Sequence, residues 1–256
     1  MKLWNAMLIA LSTYSRVPVP RADWTQENRR YALCFFPLAG VLVAAAELIW
    51  AALCRGRVSG VLFGAGAALI PLLLTGGIHM DGLMDTADAL ASNGSRQKKL
   101  EILKDSRCGA FAVMACAGYL LLSFALWAEC REDLLFILPA FPAFRALSAL
   151  AAVNLRPARE EGMLRSFTDE EGRKAVTAAS LLWLALCLLL WSALAAVAAS
   201  PAVLIASALV LAAALPVYRH LAYRDFGGVT GDLAGAFLQL TELALLAAFV
   251  IGEAMV

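Results

Sequence analysis

The chain has little charge, and the charge it has is balanced. Charged residues make up 16% of its 256 positions, and 21 Lys and Arg against 20 Asp and Glu leave a formal net charge of +1. Nucleic acid recruits proteins through an excess of basic side chains, so this balance gives no case for such a partner. Histidine is scarce: His79 and His220 are the two in the chain. The six cysteines form no CxxC pair and no metal-ligand spacing, and read as small apolar residues inside helices. A cleavable signal pattern is also missing. The apolar stretch Leu3 to Leu11 is short and leads to Arg16 rather than to a small-residue cleavage site.

Apolar residues are what the chain does have. They reach 62%, and the mean hydropathy is +0.76, where a soluble domain is nearer half apolar. Several runs attain the roughly 20 residues needed to cross a bilayer. The expected fold is all-α: a polytopic membrane bundle of about seven spans forming one membrane-embedded domain over residues 1–256. The spans are placed at 31–54, 58–78, 108–128, 133–154 (kinked by Pro139 and Pro142), 174–200, 201–218 and 233–253. Residues 1–30 are expected at the membrane surface, with SRVPVP ending any helix there. Three polar stretches remain, 79–107, 155–173 and 219–232. The first is expected to hold two helical pieces broken at Ser92-Asn93-Gly94-Ser95.

Lys and Arg are sorted to one side. The N-terminal segment and the three polar stretches (Lys174 included) carry 17, and the opposite side carries Arg55, Arg57 and Arg131. By the positive-inside rule, the N-terminus and all three polar stretches are cytoplasmic, in the inner membrane of a cell.

The polar stretches hold the chemistry. TGGIHMDGLMDTAD (75–88) places Asp81, Asp85 and Asp88 at i, i+4 and i+7. At about 100° per residue they share one helical stripe. Three carboxylates so placed repel one another, and a hard cation such as Mg²⁺ among them removes the repulsion. A plain solvated acidic face is the competing reading. Gly76, Gly77 and Gly82 would bring backbone close to whatever the carboxylates hold. Adjacent His79 could ligate metal, orient phosphate or accept a proton.

A second stripe lies in GGVTGDLAGAFLQLTE (227–242), where Asp232, Gly235, Gln239 and Glu242 fall on one face. Glu242 enters the membrane and needs a partner, and Arg145 in the fourth span is of the right type. Backbone N–H groups around Gly227 and Gly228 could cradle a phosphate. Lys104 and Arg107 flank Asp105, while Arg156, Arg159 and Arg165 punctuate the next polar stretch. Carboxylates for metal, with Arg and Lys for phosphate, are the parts phosphoryl transfer uses.

These blocks resemble the adenosylcobinamide-GDP ribazoletransferase family, also called cobalamin 5′-phosphate synthase. TGGIHMDGLMDTADAL is similar to its central motif, LEILKDSRCGAF to its next block, AREEGM (158–163) to a third and GGVTGDLAGAFLQLTEL to its last. SRVPVP also fits, so the similarity runs end to end. Two positions depart: Ala89 replaces a usual glycine and Gln239 a common glutamate. The resemblance implies an integral-membrane, Mg²⁺-dependent transferase acting late in cobalamin assembly. Its substrates would be adenosylcobinamide-GDP and α-ribazole or its 5′-phosphate, and GMP would leave. Carried onto this chain, Asp81, Asp85 and Asp88 would hold metal. Lys104, Arg107 and Arg159 would clamp phosphate, with Gly227 and Gly228 beside them. Asp105, Asp232 or His79 would take the hydroxyl proton. Membrane lipid is the other expected partner, with a second copy of the chain as one option. The alternative is a secondary transporter built around intramembrane Glu47, Arg145 and Glu242.

Overall fold

A computed structural model describes residues 1–130, 134–159, 170–198 and 201–254. Helices dominate, and no strand occurs among the described residues. The helices are α1 (Lys2–Tyr14), α2 (Gln26–Arg29), α3 (Phe36–Cys54), α4 (Gly60–Thr75), α5 (Ile78–Ala91), α6 (Arg96–Ile102), α7 (Ala110–Glu129), α8 (Leu134–Ile137), α9 (Ala140–Asn154), α10 (Glu170–Ala198), α11 (Pro201–Leu221) and α12 (Gly231–Ala254). A short 3₁₀ turn (Ala32–Phe35) precedes α3, and a π turn (Ala222–Phe226) follows α11.

Five described helical segments are long and apolar enough to cross a membrane, or six if α4 and α5 count as one bent span. A polytopic helical bundle follows, although the expected total of about seven is not confirmed by that count. Helix α9 is the centre. Nearly all its residues are buried, and its many alanines allow close approach by neighbours. Gly40 of α3 lies directly on the Phe141–Pro142 backbone, where no Cβ would fit. The outer helices turn their leucines outward: Leu121 and Leu122 of α7, and Leu181, Leu182, Leu186 and Leu189 of α10, are exposed. On a bundle of this composition that surface belongs to lipid.

Several boundaries shift for identifiable reasons. The second span ends at Thr75, earlier than 78, because Gly76 and Gly77 both take left-handed φ values, +65° and +79°. Two successive glycines in that region turn the chain sharply, and α5 leaves α4 at 94°. Arg16 fills the space where a Gly76 side chain would be, and its N–H donates to the Leu74 carbonyl. The fourth span holds as one segment, Leu134–Asn154, with an irregular turn at 138–139 between α8 and α9 and Pro142 in the first turn of α9. The stretch 219–232 is not a loop throughout, since α11 continues to Leu221 and the π turn follows. The stretch 79–107 is two helices, α5 and α6, separated at 92–95, where Asn93 takes φ +48°.

Candidate functional site

Helix α5 runs across one end of the bundle, packed on α12 and α7. One face buries His79, Met80, Leu83, Thr86 and Ala89. Ala89 is fully buried, and the helix continues through it to Ala91. The other face carries the aspartates, with Asp81 exposed and Asp85 and Asp88 half-buried. The close α5–α12 packing depends on glycines. A Cβ on Gly82 would stand 2.5 Å from the Asp232 carbonyl oxygen, and one on Gly235 would stand 2.9 Å from that of His79. What Gly82 admits is therefore the backbone of α12.

This packing brings the two acidic stripes together. Asp81, Asp232 and His79 line one cavity of about 340 Å³, closed by Tyr14, Leu33, Phe36, Ser148, Ala152 and Leu238. The carboxylate of Asp85 is repelled by those of Asp81, Asp232 and Asp88. Neither Asp81 nor Asp85 has an ion-pair partner among the described residues. Asp88 is differently engaged. Its Oδ2 accepts from the Gly109 N–H at 2.7 Å and its Oδ1 from the Ala112 N–H at 2.9 Å, so it caps the start of α7 from a neighbouring helix. Among the described residues, no three His, Cys, Asp or Glu groups are gathered so that they could hold a metal by themselves.

His79 stands in the cavity wall. Its ring lies 6.2 Å from that of Tyr14 and 5.8 Å from that of Phe36, which are 4.1 Å from each other. Its Nε2 is buried without a hydrogen-bond partner among the described residues.

The basic residues separate into roles. The guanidinium of Arg107 grips Asp105, donating from Nη2 to Oδ2 at 2.7 Å and from Nε to Oδ1 at 3.0 Å. These hydrogen bonds hold the Asp105 carboxyl down to about 2. Arg107 and Lys104 are exposed. Arg159 is half-buried, donates to the Leu100 carbonyl and attracts Asp232 electrostatically. Residues 160–163 of AREEGM, and Arg165, lie outside the described residues.

Gly227 and Gly228 serve a clamp. The N–H groups of both donate to the Ala222 carbonyl, and that of Val229 donates to Arg156 at 2.9 Å. The Ala158 N–H returns a bond to Val229 at 2.9 Å. Gly228 has no room for a Cβ against the 156–158 backbone. The clamp fixes residues 156–158, and with them the position of Arg159. Nearby, Lys99 pairs with Asp225 at 2.7 Å, with both side chains largely buried. Burial raises the Asp225 carboxyl, but Lys99 and Arg224 outweigh it and leave the group below its ordinary value. Arg96 Nε donates to the Arg224 carbonyl at 3.1 Å, and the Tyr223 hydroxyl accepts from the Arg156 N–H at 2.8 Å. Sequence reasoning singled out none of Arg96, Lys99, Tyr223 or Asp225. The charges at 99 and 225 were visible, but nothing in the sequence pairs positions so far apart. The three polar stretches thus meet at one end of the bundle.

Deeper in, Arg145 Nη1 donates to Glu242 Oε1 at 2.6 Å and to the Phe141 carbonyl at 2.9 Å, all buried. Glu47 is fully buried near Glu242, and neither of its oxygens has a hydrogen-bond partner among the described residues.

A family model described as cobalamin-5-phosphate synthase matches residues 6–250. A protein of Lachnoclostridium phytofermentans named adenosylcobinamide-GDP ribazoletransferase is 35% identical, over 100% of this chain and 97% of its own length. Proteins of the same name from Acetivibrio thermocellus and Pseudomonas putida are each 34% identical. The first match covers 97% of this chain and 98% of the relative, and the second 96% and 98%. No solved structure matches.

Proposed function

The chain belongs to the cobalamin-5-phosphate synthase family, and from that membership we propose that it acts as an adenosylcobinamide-GDP ribazoletransferase at the cavity between α5 and α12. A hydroxyl of α-ribazole, or of its 5′-phosphate, attacks the phosphorus that carries the cobinamide. The bond from that phosphorus to GMP breaks, GMP leaves with the bridging oxygen, and the hydroxyl proton passes to an acid of the site. The observation that carries the proposal is the convergence of Asp81 and Asp232, 151 positions apart by number, on one cavity.

Mg²⁺ is the cofactor of this reading, and the residues fit it. Uncompensated carboxylates crowd together around Asp85. Mg²⁺ is usually held by one or two carboxylates, with substrate phosphate and water completing its shell. A set too sparse to hold a metal alone is consistent with that habit. Asp81 and Asp85 would hold the ion, and Asp88 would fix α7 beside them. When bound, the ion would supply charge neutralisation as GMP departs.

The remaining roles fall to the chain's own groups. Arg159, half-buried and near enough to attract Asp232, would meet a phosphate oxygen. Asp232 is the proton acceptor of this proposal. It lines the cavity, whereas Asp105 is tied to Arg107 and held at about 2, which makes it a poor base. His79 orients substrate from the wall. The site faces the cytoplasm of the inner membrane, as the sorting of Lys and Arg suggests. Arg145 and Glu242 close on each other, which favours a structural pair over a transport site.

The test is GMP release by the detergent-solubilised chain supplied with both substrates and Mg²⁺. The expected result is release that needs no gradient and stops in excess EDTA. Undiminished release in EDTA overturns the metal assignment, and no release under any divalent cation overturns the activity.

A further inference from the structure

We infer that the α5–α12 cavity is the acceptor subsite, shaped for the planar base of α-ribazole, and that adenosylcobinamide-GDP binds outside it. The inference rests on the transferase reading above and adds which substrate occupies the enclosed space.

Size comes first. The cavity measures about 340 Å³, near the low end of the roughly 300–1,000 Å³ typical of small-molecule pockets. A nucleoside of about 20 non-hydrogen atoms fills such a space at the density of a protein interior. The corrinoid donor, with on the order of 100 such atoms, cannot enter a pocket of that class. Only a fragment of it could compete: of its two purines, the guanine is the one joined to the diphosphate that reacts.

Chemistry discriminates between the two bases. The wall is built of Tyr14 and Phe36 rings against the His79 imidazole, closed by Leu33, Leu238 and Ala152. Flat aromatic surfaces accept either base by stacking. Guanine, however, carries a hydrogen-bonding edge of several donors and acceptors, and each one buried without a partner costs about 1–3 kcal/mol. Away from the acids, the polar side-chain groups in the wall are the Tyr14 hydroxyl, Ser148 and His79, few for an edge of that many donors and acceptors. The benzimidazole of α-ribazole has a hydrocarbon edge and one free ring nitrogen. The buried Nε2 of His79, without a partner among the described residues, is available to donate its N–H to that nitrogen. The acids then set the direction. With the base against the aromatic wall, the ribose points toward Asp81 and Asp232, where its hydroxyl meets the donor phosphate.

The experiment uses the full chain in detergent and measures equilibrium binding of radiolabelled α-ribazole without donor. Ala152→Leu fills the cavity, and Tyr14→Leu removes an aromatic wall while keeping bulk. The second serves if the first does not fold, as judged by thermal melting. Each is expected to weaken α-ribazole binding about 10-fold or more, the scale of losing one well-packed aromatic or apolar contact. The KM for adenosylcobinamide-GDP should move by less than about 2-fold, since a donor bound outside loses no contact. GMP should displace no α-ribazole from the wild-type chain. Competitive displacement by GMP, or variants that raise the donor KM and leave α-ribazole binding intact, would overturn the assignment. Failure of the transferase reading would look different: the wild-type chain would release no GMP from the two substrates together, whatever the binding measurements gave.

Discussion

Two groups of acids in this molecule have opposite fates. At the end of the bundle, Asp81 lines a cavity and Asp85 stands one turn further along α5, neither with an ion-pair partner among the described residues, and Asp85 is crowded by Asp81, Asp88 and Asp232. In the interior, Glu242 is locked to Arg145 at 2.6 Å and shut away from solvent. Location accounts for the difference. A buried charge is tolerable only when matched, and of the two buried glutamates Glu242 has that partner, while Glu47 has none among the described residues. At the water-facing end an unmatched carboxylate costs little, and it stays available to a ligand. Unpaired charge in a wet cavity points to function, and paired charge in a dry core points to architecture.

The strongest way to break that contrast is at the wet end. Asp81→Ala and Asp85→Ala are each expected to lower GMP release by about 10³-fold, the several kcal/mol a bound metal supplies, while the thermal melting point stays near that of the wild type. A variant that melts early and keeps its turnover would move these acids to the architectural group. The mirror experiment is Arg145→Met, which strands Glu242. A loss of about 3–5 kcal/mol of stability is expected, with much of it recovered when Glu242→Met is added. Denaturation of the two variants side by side reads this out, and absence of recovery would mean the pair is not the unit.

Asp232→Asn sharpens the boundary, because this residue begins a membrane helix yet faces the cavity. Turnover should fall about 10²-fold, the low end of losing an acid or base, with unchanged melting. Near-normal turnover would remove Asp232 as proton acceptor. Gly82→Ala tests the junction itself. Its Cβ would meet the Asp232 carbonyl at 2.5 Å, and overpacking of this kind costs about 1–3 kcal/mol. Stability and turnover should drop together, and a variant that loses neither would show that α5 can shift freely. The smallest effect is expected from Asp105→Asn. Asp105 lies outside the cavity lining and is already held by Arg107, so turnover should change by less than about 3-fold, far short of a lost base. A 100-fold loss would return it to the reaction.

Much of this was legible in the chain. The apolar runs marked the helices, because a membrane leaves few other ways to satisfy backbone polar groups. The i, i+4, i+7 spacing placed three aspartates on one face, and the break at Ser92–Ser95 separated two helices. Charge type nominated Arg145 for Glu242. What stayed hidden was long-range. Asp88 shares its stripe with Asp81 and Asp85, but only the fold sets its oxygens against the N–H groups of Gly109 and Ala112. Gly227 and Gly228 read as a phosphate cradle, and the fold spends their N–H groups on the Ala222 carbonyl. Tyr14 and Phe36 carried no signal as cavity walls, because an aromatic residue in an apolar run looks the same whether it faces lipid, core or ligand.

The division has a physical basis. Periodicity, composition and charge asymmetry act locally along the chain, so the sequence by itself determined the helices, their approximate ends, the acidic stripes and the family motifs. A hydrogen bond, an ion pair or a close glycine contact joins positions that only packing brings together. Tertiary structure alone decided that Gly76 and Gly77 turn α5 through 94° across the bundle end. It also decided that Gly82 and Gly235 let α5 and α12 touch, and that Asp81 and Asp232 therefore share one cavity.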